Sequence, residues 1–332
     1  MKISVVGATG LVGSRMMALL ELLPLPEITL IPVASEKSAG RIVEFRGQKI
    51  EVQTIQKAIA LAPKVALFSA GGSVSKEFAP QFARQGTLVI DNSSAWRREA
   101  GVPLVVPEIN GNTLKPGVSI IANPNCSTIQ LVMTLAPIHA NAGIKRVTVS
   151  TYQSVSGSGQ KGIQQLMAEK SGKKGNGIYP WPIDGNVIPQ GGSFMANGFT
   201  EEEMKLVYET CKILQAPEIE VAATVVRVPV TGGHSISASV ECTVPCSASD
   251  VRRWLKKMPG VTIMDDPAKE TYPMPLFCEG KDDVFVGRIR NDLFQPKVVH
   301  LWIVADNVRK GAATNAVQIL QYLINHQLIA LK

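Results

Sequence analysis

Six apolar runs in the first 125 residues, separated by stretches of helical period, restrict the folds open to this chain more than anything else in its sequence. They are "KISVVGA" (2–8), "ITLIPVA" (28–34), "KVALFSAG" (64–71), "TLVIDNS" (87–93), "LVVPEIN" (104–110) and "VSIIANP" (118–124). Several are continuously apolar and end in Gly, Ser or Asn, as parallel strands buried on both faces do. Helical spacing falls between them, notably over 11–22 and 75–85. This βαβ rhythm predicts an α/β fold with a parallel, doubly wound sheet, and "FRGQKIEVQ" (45–53) reads as a hairpin inserted into it.

Past residue 140 the pattern changes. Residues 144–155, 218–230, 234–244 and 298–307 are long runs with partial alternation, which predicts a mainly antiparallel sheet with one covered face. Residues 171–200 are rich in Gly, Pro and Asn and read as a long irregular excursion, of a length that usually serves function or an interface. An amphipathic helix is expected over about 311–329. A chain of 332 residues exceeds one ordinary core. We therefore expect a nucleotide-binding domain over 1–125, completed by 311–332, and a second domain over 126–310.

The N-terminus turns from a short apolar run into glycines, unlike a signal peptide, and no window is long and apolar enough to span a membrane. A soluble, cytoplasmic protein is the expectation. The formal charge of +7 favours anions, but the basic residues are dispersed, which points away from nucleic acid and toward a small phosphorylated or carboxylated substrate. The cysteines are five, and only Cys242 and Cys246 are close. No histidine pair with zinc-ligand spacing accompanies them, so neither a structural metal nor a disulfide framework is expected.

"VVGATGLVGS" places Gly7, Gly10 and Gly13 between a strand and a helix, one residue longer in spacing than the dinucleotide fingerprint. Glycines there let the backbone turn and approach a pyrophosphate seated at the helix N-terminus. The whole loop, Gly7, Thr9, Gly10, Leu11, Val12 and Gly13, is the candidate cofactor cradle. After the second strand come Ser35, Lys37, Ser38 and Arg41, whose hydroxyls and cations suit a 2′-phosphate and so NADP. Glu36 is the opposing residue: turned inward, it would admit NAD.

In "ANPNCSTIQLV" Pro124 closes a strand, and helical spacing resumes at Ile129. Cys126 therefore sits at or just before a helix N-terminus, where N–H groups and the helix dipole stabilise a thiolate and an oxyanion. Of the four histidines, His139 and His326 lie in helical patterns and His300 in a strand, whereas His234 follows two glycines in a loop and suits proton transfer. Arg227, a cation in an apolar strand, needs a partner, either an internal anion or a substrate carboxylate. Arg97 and Arg98 follow a strand's C-terminal end, and Glu202 and Lys205 lie three apart on one helix.

The ordered set G-A-T-G-x-V-G (7–13), S-A-G-G (69–72), D-N-S-S-x-W-R (91–97), N-P-N-C-S-T (123–128), R-V-P-V-x-x-G-H-S (227–235) and N-A-V-Q-I (315–319) resembles the aspartate-β-semialdehyde dehydrogenase family over almost the whole chain. The resemblance implies a Rossmann-like NADP(H)-binding domain, an α+β catalytic and dimerisation domain, and a homodimer. It also implies NADPH-dependent reductive dephosphorylation of L-aspartyl 4-phosphate to the semialdehyde, in lysine, methionine and threonine biosynthesis. By position, Cys126 would be the nucleophile forming a thioester, His234 the acid/base, and Gln153 the group that positions the acyl intermediate. Arg227 would hold the substrate carboxylate, Glu202 its ammonium group, Arg97 and Lys205 phosphate, and Asn315 would lie near the nicotinamide. Lys37 stands where an arginine is common. Two rivals are N-acetyl-γ-glutamyl-phosphate reductase, in which N-P-G-C is the usual cysteine context, and a nucleotide-binding paralogue without catalysis.

Overall fold

In the computed structural model, which describes residues 1–25, 27–175 and 177–329, the chain divides into two compact units. The first comprises Met1–Pro124 and the chain from Ala312 onward; the second is Asn125–Gly311.

The first unit holds strands β1 (Lys2–Val6), β2 (Thr29–Val33), β3 (Ile42–Phe45), β4 (Gln48–Glu51), β5 (Val65–Phe68), β6 (Leu88–Asp91) and β7 (Ile120–Ala122). Its helices are α1 (Leu11–Glu21), α2 (Ile55–Ala60), α3 (Gly72–Arg84), the short α4 (Pro107–Asn110) and a C-terminal helix, Thr314–Asn325. Five strands form one all-parallel sheet in the order β2-β1-β5-β6-β7. Alternate residues of these strands feed two cores. Ile3, Val5, Val65, Leu67 and Ile90 pack with Met16 and Leu20 of α1 and Ile319, Leu320 and Leu323 of the C-terminal helix. Val6, Val33, Ala66, Phe68 and Val89 pack with Ala58 of α2 and Phe82 of α3. Burial on both faces explains why the strands read as unbroken apolar runs.

Three expectations shift. The run 104–110 is no strand beyond a single bridge at Leu104. Pro107 opens a helical turn there, and the Asn110 side chain accepts from Val106 N–H and donates to the Leu104 carbonyl. The hairpin begins at Ile42 and turns at Arg46 and Gly47, both with positive φ, as two-residue hairpin loops require. The C-terminal segment opens with a π turn, Arg309–Ala313, and its α-helix ends at Asn325; residues 330–332 of the expected span lie outside the described residues.

The second unit opens with α5 (Cys126–Ala142) and β8 (Ile144–Gln153), followed by α6 (Gly159–Lys170) and α7 (Glu201–Leu214). Next come β9 (Glu220–Arg227), β10 (His234–Cys242), α8 (Ala248–Leu255), β11 (Val261–Ile263), β12 (Val284–Asn291) and β13 (Val298–Ala305). The sheet order is β11-β12-β13-β10-β8-β9. It is mainly antiparallel, as expected, but mixed: β8 with β9 and β11 with β12 are parallel, the other three pairings antiparallel. The crossover through α6 and α7 allows the parallel pairing of β8 with β9. The described residues of 171–200 carry no helix or strand, only bridges at Ile188 and Phe194.

One face of this sheet is buried beneath helices, with Val147, Val149, Val225, Ile236 and Val240 upon it. Gln153, Arg227 and His234 share that face at one end of the sheet. Gln153 pairs with Arg227, and Ser235 with Tyr152, which puts His234 on the strand beside Gln153. The opposite face carries the exposed Tyr152 and the half-buried Ser237, His300 and Trp302.

Candidate active site

Cys126 is the first residue of α5 and half-buried. Asn125 caps this helix, its Oδ1 accepting from Ser127 N–H at 3.0 Å and Thr128 N–H at 3.3 Å. Asn125 is itself held from α7: its N–H donates to Glu209 Oε2 at 2.6 Å and its Nδ2 to Glu202 Oε2 at 2.8 Å. Glu202 also pairs with Lys205 through its other oxygen. Gly311 presses against the cysteine, since a methyl group on it would stand 2.9 Å from Cys126 Cβ.

Gln153 Nε2 donates to Ser127 Oγ at 2.9 Å, tying the end of β8 to the first turn of α5. Arg227 is buried; its backbone pairs with Ile188 in both directions, and its Nη1 donates to the Ser154 carbonyl at 2.7 Å. Its Nε is buried without a partner among the described residues. His234 is wholly buried, accepts the Ser154 N–H on Nδ1 at 3.1 Å, and has no partner on Nε2 among the described residues. Burial, then the nearby Arg227 guanidinium, pushes its pKa down to about 3. Both side chains border Gly157, where an added Cβ would lie 2.6 Å from Arg227 Nη1 and 3.0 Å from His234 Nε2. Buried polar atoms left over after folding are candidates to meet a ligand.

The other histidines are engaged locally: His139 Nδ1 accepts from Ile144 N–H, His300 meets Asp292 at 2.9 Å, and His326 lies beside the Tyr322 carbonyl. Among the remaining cysteines, burial pushes Cys242 up to about 12 and Cys278 up to about 11, and Cys211 is also raised. No group of three potential metal ligands gathers among the described residues.

The remaining candidates lie in the first unit. The glycine loop follows β1, next to β5, where the sheet order reverses direction. A Cβ on Gly7 would stand 2.4 Å from the Ser69 carbonyl oxygen, and one on Gly13 would stand 2.1 Å from the Gly7 oxygen. The loop therefore excludes side chains at both positions. A cavity of about 390 Å³ opens beside it, lined by Gly7, Thr9, Gly10, Ser35, Glu36 and Ser69 among others. Leu11 and Val12 begin α1, whereas Lys37 and Ser38 lie on the turn beyond the cavity lining. A close-approach glycine cradle at a helix start with a cavity beside it fits a dinucleotide. Arg97 is buried and donates to the Asn123 and Asn92 carbonyls; Arg98 is exposed. Asn315 is buried, its Nδ2 donating to Val105 O and Asn123 Oδ1.

Residues 2–116 match the model of the semialdehyde dehydrogenase NAD-binding domain, and residues 135–310 that of the semialdehyde dehydrogenase dimerisation domain. The aspartate-semialdehyde dehydrogenase of Aquifex aeolicus is 48% identical over 99% of both chains, and that of Bacillus subtilis 46% identical over 97% of this chain and 96% of its own. The chain belongs to the aspartate-semialdehyde dehydrogenase family. Its fold agrees: the Vibrio cholerae aspartate-semialdehyde dehydrogenase II crystallised with ASA superposes with a TM-score of 0.93, at 42% identity and 98% coverage of both chains. The Candida albicans enzyme with NADP gives a TM-score of 0.77 at 26% identity, covering 99% of each chain. As a member of this family the chain is an oxidoreductase of amino-acid biosynthesis with a nicotinamide-dinucleotide-binding domain of Rossmann type and a dimerisation domain. No helix among the described residues is long and apolar enough to cross a membrane.

Sequence reading passed over Asn125 as a cap, and Ser127, Ser154, Glu209 and Asn307 altogether. Asn125 alone carried a local signal, preceding a helical run as cap residues do. The others act through partners far along the chain.

Proposed function

We propose that the chain converts L-aspartyl 4-phosphate to L-aspartate 4-semialdehyde with NADPH, through a thioester on Cys126. The observation that carries this reading is the pair of buried nitrogens without a partner among the described residues, Arg227 Nε and His234 Nε2, at the sheet end whose Gln153 is bonded to the first turn of the cysteine helix. Arg227 takes the substrate α-carboxylate. Glu202 takes its ammonium group, and the Lys205 ammonium that now pairs with Glu202 turns, together with Arg97, to phosphate. The Cys126 thiolate, favoured by the N-terminus of α5, attacks the acyl carbon. Phosphate leaves with the bonding pair, and Gln153 holds the acyl group. When bound at the glycine loop, the dinucleotide supplies hydride. His234 then serves the acyl oxygen as acid/base while the C–S bond breaks.

For the cofactor, Ser35, Lys37 and Ser38 support NADP, with Asn315 on the nicotinamide side, while Glu36 at the cavity competes for a free ribose hydroxyl. The first unit then serves as the cofactor domain and the second as the catalytic and dimerisation domain. The half-exposed sheet face, with Tyr152 against Trp302 at 5.4 Å between ring centroids, is the surface a second copy would cover. The glutamyl rival fits less well, because Glu202 beside the cysteine cap suits a free ammonium group rather than an acetylated one.

The test is to trap the acyl-enzyme. Protein given aspartate semialdehyde and NADP without phosphate should gain an aspartyl acyl group on Cys126, released by adding phosphate. Protein that turns over but is never acylated would refute the thioester route.

A further inference from the structure

Two side chains of α6, one helical turn apart, hold a stretch of the irregular excursion in place. Gln165 is buried, and its Oε1 accepts from the backbone N–H of Ile178 at 2.9 Å and of Tyr179 at 3.1 Å. Glu169 Oε2 accepts from Ile183 N–H at 2.7 Å and Asp184 N–H at 2.9 Å, and its Oε1 from Gln165 Nε2 at 2.7 Å. Burial disfavours the Glu169 charge, but the Asp184 N–H, the Gln165 amide and the Ile183 N–H outweigh it and hold the carboxyl below its ordinary pKa. Four backbone donors of a segment without helix or strand are thus satisfied by one helix face. Ile183 and Ile188 are buried against Val155 and Leu166, and Tyr179 packs on the same cluster.

This clasp brings Tyr179 to Arg227. The Tyr179 hydroxyl donates to Ser158 Oγ at 2.9 Å, and its ring centroid lies 5.9 Å from the Arg227 guanidinium carbon. Gly162 leaves room for the phenol, since a Cβ there would stand 2.9 Å from the Tyr179 oxygen. Arg227 is otherwise held by its Nη1, which donates to the Ser154 carbonyl. An aromatic face attracts a guanidinium without occupying its N–H groups, so those remain for a ligand. The ring also keeps water from the cation, and a carboxylate is held more strongly where water is excluded.

We propose that Tyr179 is a positioning residue for Arg227, its ring fixing and shielding the guanidinium so that the site selects substrates with a free α-carboxylate. The proposal rests on the carboxylate-binding role given to Arg227 above. Gln165 and Glu169 belong to the same device at one remove: they set where the ring stands and touch neither Arg227 nor the substrate. The excursion therefore contributes to substrate choice through one tyrosine.

The test compares two aldehydes, L-aspartate semialdehyde and its α-carboxamide, which keeps the ammonium and aldehyde groups but lacks the negative charge. Wild-type protein, given phosphate and NADP, should prefer the carboxylate. In Tyr179→Ala, kcat/KM for the carboxylate should fall about tenfold, mostly through KM, and for the amide less than about threefold, so the preference shrinks. Tyr179→Phe, which keeps the ring, should retain most of the preference. If the alanine variant does not fold, Gln165→Met, which removes the acceptor for the Ile178 and Tyr179 N–H groups at similar volume, should shrink the preference in the same direction. A folded Tyr179→Ala or Gln165→Met protein that loses activity on both aldehydes equally, or that keeps the full preference, would overturn the proposal. Wild-type protein without a preference for the carboxylate would overturn the role of Arg227 in the proposed function, and this proposal with it.

Discussion

Gly157 has room for hydrogen and nothing larger. Its φ is not in the left-handed region, so alanine suits the backbone, yet the added methyl group would collide with Arg227 Nη1 and His234 Nε2. Gly157→Ala should therefore fold with a melting temperature near that of the wild type, and kcat/KM for the semialdehyde should fall about tenfold to a hundredfold, as misplacement by about an ångström does. Undiminished kcat/KM would mean that the two side chains do not converge on the substrate. His234 also marks stability against pH. The unfolded chain protonates this ring near about 6.5, and the folded chain only near about 3. Between those values the unfolded state binds more protons, so His234 lowers stability as pH falls from 6.5 toward 4. Denaturant unfolding should show this slope in wild-type protein and a flatter one in His234→Asn. At this scale Cys126, His234 and Arg227 stood out in the sequence because each breaks its surroundings: a thiol among polar residues, an imidazole after glycines, a cation in an apolar strand. Ser154 and Asn307 did not, for they are ordinary polar residues whose bonds join positions 153 apart.

Helix α5 presents Cys126 only as accurately as its N-terminus is held. Asn125 does this by capping two N–H groups and by reaching Glu202 and Glu209 on α7. Asn125→Ala should cost about 1 kcal/mol in unfolding free energy, the usual worth of such a cap. It should also raise KM for the semialdehyde, because Glu202 loses a partner. A stability loss with KM unchanged would confine Asn125 to the cap. Most elements of the first unit were legible because buried parallel strands and amphipathic helices have distinct periods. The exceptions have local causes. The run 104–110 is apolar enough for a strand, but Pro107 and the Asn110 side-chain bonds turn it into helix. The π turn at Arg309–Ala313 is set by tertiary packing, with Gly311 against Cys126, and leaves no periodic trace.

For the whole molecule, the order of motifs along the chain was readable but the mixed sheet was not. Strand direction depends on where a crossover returns, and the 153–220 excursion gave no sign of that. A second copy on the half-exposed sheet face should make the protein sediment as a dimer, and Tyr152→Arg should shift it toward monomer. A dimer unmoved by that change would place the contact elsewhere. The most direct test of the central claim is cofactor reduction with L-aspartate semialdehyde, phosphate and NADP. N-acetylglutamate semialdehyde and NAD would run alongside, with Cys126→Ala as control. The account predicts turnover that requires phosphate, prefers the aspartate aldehyde and NADP, and vanishes in Cys126→Ala. Turnover that survives in Cys126→Ala, or that proceeds equally without phosphate, would contradict it.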